Sequence, residues 1–432
     1  MNVRVAAVVL AVGMFACRMY GDALPEVEPK DGWDTLPPPV AATGDWPWWR
    51  GPALDNIAPD NQSPPIVWDE RSNLIWRVTL QGLGHSTPAI VGDRIYVTAG
   101  EKTKDRAQLW LYGLERATGK TVWQTEIYAG PVGRQHPDNA PAAATPACDG
   151  ERLFVPYQVG AGVEMAAVSM NGDILWRKTV APYNTIQGYS ASPALYKSAV
   201  IVPVEGPKGC YLTAFHRATG DVVWRRIIRA NNESYAPALV RTVAGREQLL
   251  LIGGLSTRGY DPDNGTLLWN CEGPARTCVA TPVADALTVY ATGGYPGRKT
   301  LAIRADGQGD VTQTHVTWTG DAKAGYVPSP LLHQGLLYAV ADQGLFRCYD
   351  AKDGQVVWQH DFKTPFYSSP TLANGHLYLF DRKGGGYVVP VGRSFGGVVT
   401  NTLPSGVFAT PVILKSRIYL RTLGDFYCFG TP

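Results

Sequence analysis

One stretch of the sequence decides the fold: Asp350-Ala351-Lys352-Asp353-Gly354-Gln355-Val356-Val357-Trp358. Its glycine suits a hairpin turn that needs a positive φ, and its tryptophan follows four residues later on the next predicted strand. The same spacing recurs along the chain at Gly119/Trp123, Gly172/Trp176, Gly220/Trp224, Gly265/Trp269 and Gly354/Trp358. The fifth repeat keeps Gly307 but has Trp318 seven residues later than the pattern requires, and the seventh has Val398 or Val399 in place of tryptophan.

The large apolar face of each tryptophan can fill the gap between neighbouring sheets. We therefore predict a structural docking role for the tryptophans at 76 and at the five repeated positions: Trp76, Trp123, Trp176, Trp224, Trp269 and Trp358.

A second motif opens each repeat, in which a small or hydroxyl-bearing residue precedes proline. It occurs at Thr87-Pro88, Thr145-Pro146, Ser192-Pro193, Ala236-Pro237, Thr281-Pro282, Ser329-Pro330, Ser369-Pro370 and Thr410-Pro411. A turn and an apolar run follow each copy, which is typical of a two-stranded hairpin. Each repeat therefore contains four strands, and radial repetition of four-stranded units predicts a β-propeller.

The two chain ends complete the predicted ring. The eighth repeat stops at Tyr427-Cys428-Phe429, one strand short, and Leu74-Ile75-Trp76-Arg77-Val78 can supply the missing strand. Closure by strands from both ends leaves no free sheet edge. The predicted fold is all-β, an eight-bladed, quinoprotein-like β-propeller over residues 73–432 with four-stranded blades and a ring closed by an N-terminal strand.

Two copies of the repeat carry a resemblance to a known family: Glu115-Arg116-Ala117-Thr118-Gly119-Lys120-Thr121-Val122-Trp123 and Tyr349–Trp358. They resemble the tryptophan-docking motif of the pyrroloquinoline-quinone-like repeat superfamily. The resemblance covers about residues 73–429 and is closest to non-enzymatic exported propellers similar to BamB. The opening Trp46-Pro47-Trp48-Trp49-Arg50-Gly51-Pro52 resembles that of other exported bacterial propellers. The motif is specific for fold and weak for function.

The N-terminus predicts export. Arg4 precedes a short apolar run, Val5 to Ala16, which is typical of a secretory signal over residues 1–23. Cleavage before Cys17 with lipid attachment is the alternative. Residues 24–45 are rich in proline and predict an extended tether, and residues 46–72 predict a segment that packs on the propeller. The protein is expected in the periplasm or outside the cell, as a monomer without a transmembrane span in the mature chain.

Composition narrows the function classes. Lys plus Arg number 39 and Asp plus Glu 37, a net charge of +2 that speaks against nucleic-acid binding. The superfamily implies a quinone enzyme as one alternative, with the quinone between a tryptophan and a disulfide of adjacent cysteines, beside calcium and an Asp base. This sequence has no adjacent cysteine pair and little chain for a cap, so we expect no cofactor and no catalytic residue. Cys271 and Cys278 flank a short connection where export permits a disulfide.

The loops that enter the Pro-strands form the candidate binding rim, because propellers commonly bind ligands around the channel. Aromatic and charged side chains there are typical of recognition surfaces, or they fill a wide channel. The candidate residues are His85, Tyr189, Asn232, Glu233, Arg276, Tyr326, Phe366, Tyr367 and Phe408. The leading functional hypothesis is an exported non-enzymatic scaffold that binds a protein, peptide or glycan in the cell envelope. The alternative is a pyrroloquinoline-quinone-dependent dehydrogenase or quinone binder with calcium.

Overall fold

The computed structural model describes residues 24–228, 233–320 and 325–431, and the predicted signal peptide and Cys17 lie outside these ranges. In the described ranges the regular structure is β-strand throughout, arranged as eight sheets, and no helix there is long and apolar enough to cross a membrane. The prediction of an all-β, eight-bladed propeller is confirmed.

The first strand of the chain belongs to the last blade, and the following strands build blades 1 to 4. Strand β1 is Leu74–Thr79. Blade 1 contains β2 (Ala89–Val91), β3 (Arg94–Lys102), β4 (Arg106–Glu115) and β5 (Thr121–Pro131). Blade 2 contains β6 (Ala147–Cys148), β7 (Arg152–Val159), β8 (Gly162–Ser169) and β9 (Ile174–Pro182). Blade 3 contains β10 (Ala194–Tyr196), β11 (Ala199–Gly206), β12 (Gly209–His216) and β13 (Val222–Ile227). Blade 4 contains β14 (Leu239–Val243), β15 (Arg246–Gly253), β16 (Ser256–Tyr260) and β17 (Leu267–Glu272).

The second half of the ring repeats this order. Blade 5 contains β18 (Val283–Ala284), β19 (Thr288–Gly293), β20 (Lys299–Arg304) and β22 (Val316–Thr319), while β21 (Gly309–Asp310) joins blade 4. Blade 6 contains β23 (Leu331–His333), β24 (Leu336–Val340), β25 (Leu345–Asp350) and β26 (Val356–Asp361). Blade 7 contains β27 (Thr371–Ala373), β28 (His376–Phe380), β29 (Gly385–Pro390) and β30 (Val399–Thr402). Blade 8 contains β31 (Val412–Leu414), β32 (Arg417–Arg421), β33 (Asp425–Phe429) and β1.

The ring closes where β1 pairs antiparallel with β33, with Trp76 opposite Cys428 and Val78 opposite Phe426. Without this pairing β33 would expose a row of unpaired backbone groups. The predicted closure is therefore part of the confirmed architecture.

Most docking tryptophans bond to the blade that follows their own. In six pairs the indole Nε1–H donates to a backbone carbonyl at the next blade's turn. The pairs are Trp76 with Arg116 (3.2 Å), Trp123 with Met170 (3.0 Å), Trp176 with Arg217 (3.1 Å), Trp224 with Pro262 (3.2 Å), Trp318 with Ala351 (2.9 Å) and Trp358 with Gly392 (2.9 Å). Gly265 shows why the turn needs glycine: its φ is +72° and a Cβ there would lie 2.7 Å from the Trp224 ring.

Blade 5 departs from the pattern because its third and fourth strands are separated by an insertion. Strand β21 in that insertion pairs parallel with β17. As a result, the ring of Trp269 from blade 4 does not pack on Gly307. Trp269 instead donates to Oε1 of Gln248 in its own blade at 2.6 Å. Gln248 donates onward to the carbonyl of Ala305 at 3.0 Å, so the amide carries the link to blade 5. The insertion also accounts for the late position of Trp318.

Trp68 from the N-terminal segment fills the gap between blades 7 and 8, where the repeat lacks a tryptophan. It is 1% exposed and lies against Tyr378, Phe380 and Phe429 at centroid distances of 6.0, 5.7 and 6.2 Å. The Trp68 amide also donates to Oδ1 of Asn401 on β30 at 2.8 Å. A residue outside the repeat thus replaces the missing docking group.

Within residues 24–45, for which the sequence predicts an extended tether, the stretch from Val27 to Pro37 lies against blade 3. Val27 exchanges two backbone hydrogen bonds of 3.0 Å with Arg225 on β13. Further along, Nη2 of Arg217 donates to the carbonyl of Pro37 at 2.6 Å. The segment therefore covers an outer blade edge.

The six cysteines within the described ranges are buried, and Cys271 and Cys278 are free thiols, so no disulfide joins them. Cys271 lies on β17 in the core, and the Sγ of Cys278 faces the carbonyl of Ala275 at 3.6 Å. Burial raises the pKa of both thiols, which keeps them protonated and unreactive.

Candidate functional site

The hydroxyl of the Thr/Ser-Pro motif links neighbouring blades around the channel. In five pairs the backbone N–H of one motif residue donates to the side-chain oxygen of the next. The pairs are Thr87 with Thr145 (3.1 Å), Thr145 with Ser192 (2.9 Å), Thr281 with Ser329 (2.9 Å), Ser329 with Ser369 (2.9 Å) and Ser369 with Thr410 (3.1 Å). This belt explains why hydroxyl residues recur there, and it is interrupted at Ala236.

The segment from Trp46 to Ala58 crosses the channel and closes one end. Near its start it bonds to blade 1 through Trp46 and Ile90, and near its end to blade 7 through Ala58 and Leu372. Between them, the Trp49 indole donates to Oγ1 of Thr281 in blade 5 at 2.8 Å. The channel is therefore a cup with Trp49 in its floor.

Arg50, next to Trp49, fixes this floor. Its guanidinium is 1% exposed and donates to the carbonyls of Leu54, Asp55 and Pro330 at 3.0–3.2 Å. Burial lowers the pKa of Arg50 to about 10, which leaves the group charged at neutral pH. A charge held by three carbonyls orders the segment across the channel.

The cup holds a cavity of about 180 Å³ that opens to solvent. Aromatic rings and neutral hydrogen-bonding groups dominate its wall. Lining residues include Trp49, His85, His136, Asp138, Asn139, Gln187, Tyr235, Tyr326, Tyr367 and Phe408. This size and composition suit a side chain, a chain end or another small group.

Four side chains from three blades form a cluster at the mouth of the cup, which we call the mouth cluster: His85, Tyr367, Arg382 and Phe408. The Arg382 guanidinium lies over the Tyr367 ring at 4.2 Å and the Phe408 ring at 4.9 Å. His85 stacks on Phe408 at 4.5 Å with an interplanar angle of 9°, and Tyr367 meets Phe408 edge-on at 5.5 Å. An aromatic surface that holds a cation is typical of binding hot spots.

An ion pair fixes the cluster from the side. Nη2 of Arg382 lies 2.7 Å from Oδ2 of Asp138, which belongs to the long connection between β5 and β6. Lys102 anchors the same connection through the carbonyl of His136 at 3.0 Å. These contacts hold the charged side chains of Arg382 and Asp138 in fixed positions beside the rings of the mouth cluster.

His85 is neutral at ordinary pH. Burial, and then the cations of Arg421, Lys102 and Arg382, lower its pKa to about 3. A neutral imidazole presents one N–H donor and one acceptor. His85 therefore presents a flat, uncharged polar ring stacked on Phe408.

The structure brings four predicted rim residues together at the cup: His85, Tyr326, Tyr367 and Phe408. Tyr189 and Phe366 are instead buried in the core, at 5% and 0% exposure. The hydroxyl of Tyr189 donates to the carbonyl of Pro203 at 3.1 Å, which holds the ring inward.

Glu233 and Arg276 do not line the cup. Glu233 accepts a hydrogen bond from the Tyr235 hydroxyl, Arg276 is exposed outside the lining, and Asn232 lies outside the described residues. Asp138 and Arg382 were not among the predicted rim residues. The signal for Asp138 was the 58-residue spacing between Pro88 and Pro146, the longest in the series.

The cup residues do not fit the calcium–quinone site of the enzymes. No group of three His, Cys, Asp or Glu side chains in the described ranges could hold a metal ion. Among the described lining residues the carboxylate is that of Asp138, which is already paired with Arg382, and none is cysteine. The stacking disulfide and the metal ligands are therefore not available here.

Comparison with known proteins gives one family and several similar folds. The sequence profile of a family described as "Outer membrane protein assembly factor BamB" matches residues 66–181, 107–343, 310–392 and 347–427. No curated protein matches the chain.

Two solved structures illustrate the likeness. BamB from Moraxella catarrhalis is 15% identical, with a TM-score of 0.59 over 83% of this chain and 99% of that one. The quinohemoprotein alcohol dehydrogenase ADHIIG from Pseudomonas putida HK5 is 12% identical, with a TM-score of 0.61 over 90% of this chain and 81% of that one. At these identities the likeness shows the fold alone.

Proposed function

We propose a function from the premise that this chain belongs to the family described as outer membrane protein assembly factor BamB. The protein is an exported, non-enzymatic scaffold of the cell envelope, and it binds a polypeptide partner at the mouth of its cup. The family description names outer membrane protein assembly, a process that requires contacts between proteins outside the cytoplasm.

The mouth cluster is the observation that carries this proposal. Tyr367 and Phe408 supply rigid contact area at low entropic cost, and Arg382 is already positioned over both rings. The closed floor at Trp49 favours a partner that inserts a side chain or chain end over one that threads through. A short peptide could bind at the same site as a protein partner. A glycan would instead bind through hydrogen bonds to the amides and hydroxyls of the cup wall.

Site-specific photocrosslinking in envelope extract tests this function. A benzoylphenylalanine placed at Tyr367 should crosslink one defined protein, which mass spectrometry then identifies. The matched control has the same group at Val122, which is 50% exposed on the outer strand of blade 1. Equal crosslinking from both positions, or from Val122 alone, would move the binding site off the mouth.

The quinone alternative has its own test. The purified protein is mixed with pyrroloquinoline quinone and calcium, and the absorbance of the desalted protein and dye-linked alcohol oxidation are measured. We expect neither a retained chromophore nor oxidation. Both together would overturn the scaffold proposal in favour of the enzyme.

A further inference from the structure

Three hydroxyl groups form an arc on the wall of the cup below the mouth cluster: Ser329, Ser369 and Thr410. They are 2%, 2% and 3% exposed and belong to the consecutive blades 6, 7 and 8. Each side-chain oxygen accepts a backbone N–H from the preceding blade, at 2.9, 2.9 and 3.1 Å. The donors fix all three oxygens in place and polarise their O–H bonds.

Within the described part of the chain, these three hydroxyls accept hydrogen bonds but donate none. Thr87, in the same belt, donates its hydroxyl to the carbonyl of Thr410 at 3.2 Å. The hydroxyls of Ser329, Ser369 and Thr410 have no such acceptor among the described residues. Since buried polar hydrogens are rarely left unpaired, the arc offers its donors to a group inside the cup.

The surrounding charge favours an anion as that group. Arg382 lies over the rings of Tyr367 and Phe408, which line the cup. The guanidinium of Arg421 is fully buried near His85, with Nε and Nη2 unpartnered among the residues described. The carboxylates near the cup already have partners: Asp138 pairs with Arg382, Asp342 pairs with Arg298, and Glu233 accepts the Tyr235 hydroxyl. The charge of Arg421 therefore has no carboxylate partner among the residues described. A site that offers hydrogen-bond donors near a positive charge suits a small anion with several acceptor lone pairs. A carboxylate accepts up to about four hydrogen bonds.

We propose that the arc of Ser329, Ser369 and Thr410 binds a carboxylate, while Tyr367 and Phe408 pack on the apolar group beside it. The carboxylate is the C-terminus of a polypeptide or that of a free organic acid. This inference rests on the proposed function and names the chemistry that the cup recognises.

Fluorescence anisotropy with the full mature chain tests the proposal. The probe is a hexapeptide with fluorescein at its N-terminus and phenylalanine with a free carboxylate at its C-terminus. Its C-terminal amide is the control, and N-acetylphenylalanine is the competitor. The free acid should bind about ten- to hundredfold more tightly than the amide, as expected for charge-assisted hydrogen bonds.

The competitor separates the two sources. If N-acetylphenylalanine displaces the probe only at much higher concentration than the unlabelled peptide, the ligand is a chain end. If it binds as tightly as the peptide, or if it alone binds when measured by calorimetry, the ligand is a free acid. Equal binding of acid and amide, or binding of none of these compounds, overturns the proposal.

Substitutions locate the carboxylate. Ser369→Ala should weaken binding of the free acid about tenfold, while Ser369→Thr, which keeps a hydroxyl as at Thr410, should retain it. Thr410→Val gives a second test that preserves side-chain shape, and thermal melting checks the fold of each variant. Unchanged affinity in the folded Ala and Val variants contradicts the arc. A partner crosslinked at Tyr367 without any acid preference would leave the proposed function standing.

Discussion

Replacement of Trp68 by alanine should open the junction between blades 7 and 8. The indole is 1% exposed and touches Tyr378, Phe380 and Phe429. Burial of about 200 Å² of apolar surface contributes about 5 kcal/mol at 25 cal/mol per Å². Measured costs of tryptophan truncation in cores are about 3–5 kcal/mol. We therefore expect the free energy of unfolding to fall by about 4–5 kcal/mol.

Urea unfolding followed by circular dichroism measures this change. With an m-value of about 3–5 kcal/mol/M for a chain of this size, the midpoint should fall by about 1 M or more. Val67→Ala is the matched control, because Val67 is adjacent in sequence and 53% exposed. If the Trp68→Ala midpoint moves no further than that of Val67→Ala, Trp68 does not replace the missing docking residue.

Three further outcomes follow from the contacts above. The pKa of His85 is lowered to about 3 in the folded state, so below its ordinary pKa the unfolded chain binds a proton that the folded chain does not. Between pH 7 and pH 4.5 the wild type should therefore lose about 2 kcal/mol of stability that a His85→Gln variant does not lose. Equal losses in pH-dependent melting would contradict the burial of His85 as a neutral ring. Trp224→Ala should cost about 3–5 kcal/mol in urea unfolding, since the ring packs on the Gly265 turn, and an unmoved midpoint would refute that packing. Deletion of residues 1–45 should lower the melting temperature only modestly, whereas deletion of 1–80 also removes β1 and should abolish cooperative melting; a cooperatively melting 81–432 chain would defeat the closure argument.

The blade count could be predicted from sequence because most blades repeat the same two local requirements. The turn at Gly265 requires a positive φ beside a tryptophan, and the belt requires a hydroxyl before proline at positions such as Ser369. Trp68 could not be found this way, since it lies outside the repeat and reaches blade 7 only through the path of the N-terminal segment. When a residue distant in sequence fills the place of a docking tryptophan, the repeat itself contains no signal of it.

The site was less predictable because the direction of a side chain in a loop is set by packing. Phe366 and Tyr367 are adjacent in sequence, yet Phe366 is fully buried in the core while Tyr367 lines the cup. Arg382 lies in the turn between β28 and β29, a type of loop that the rim prediction did not consider. The contact between Arg382 and Tyr367 depends on how two separate loops pack together, and amino-acid composition does not specify that packing.

Hydrogen–deuterium exchange on the complex with the protein crosslinked at Tyr367 tests the central claim most directly, that the mouth of the cup is the binding surface. Partner binding should slow amide exchange in the mouth loops around Asp138, Tyr367, Arg382 and Phe408, with the outer strand β5 unchanged. Slowed exchange along β5 or another outer strand, with the mouth loops unaffected, would contradict the account.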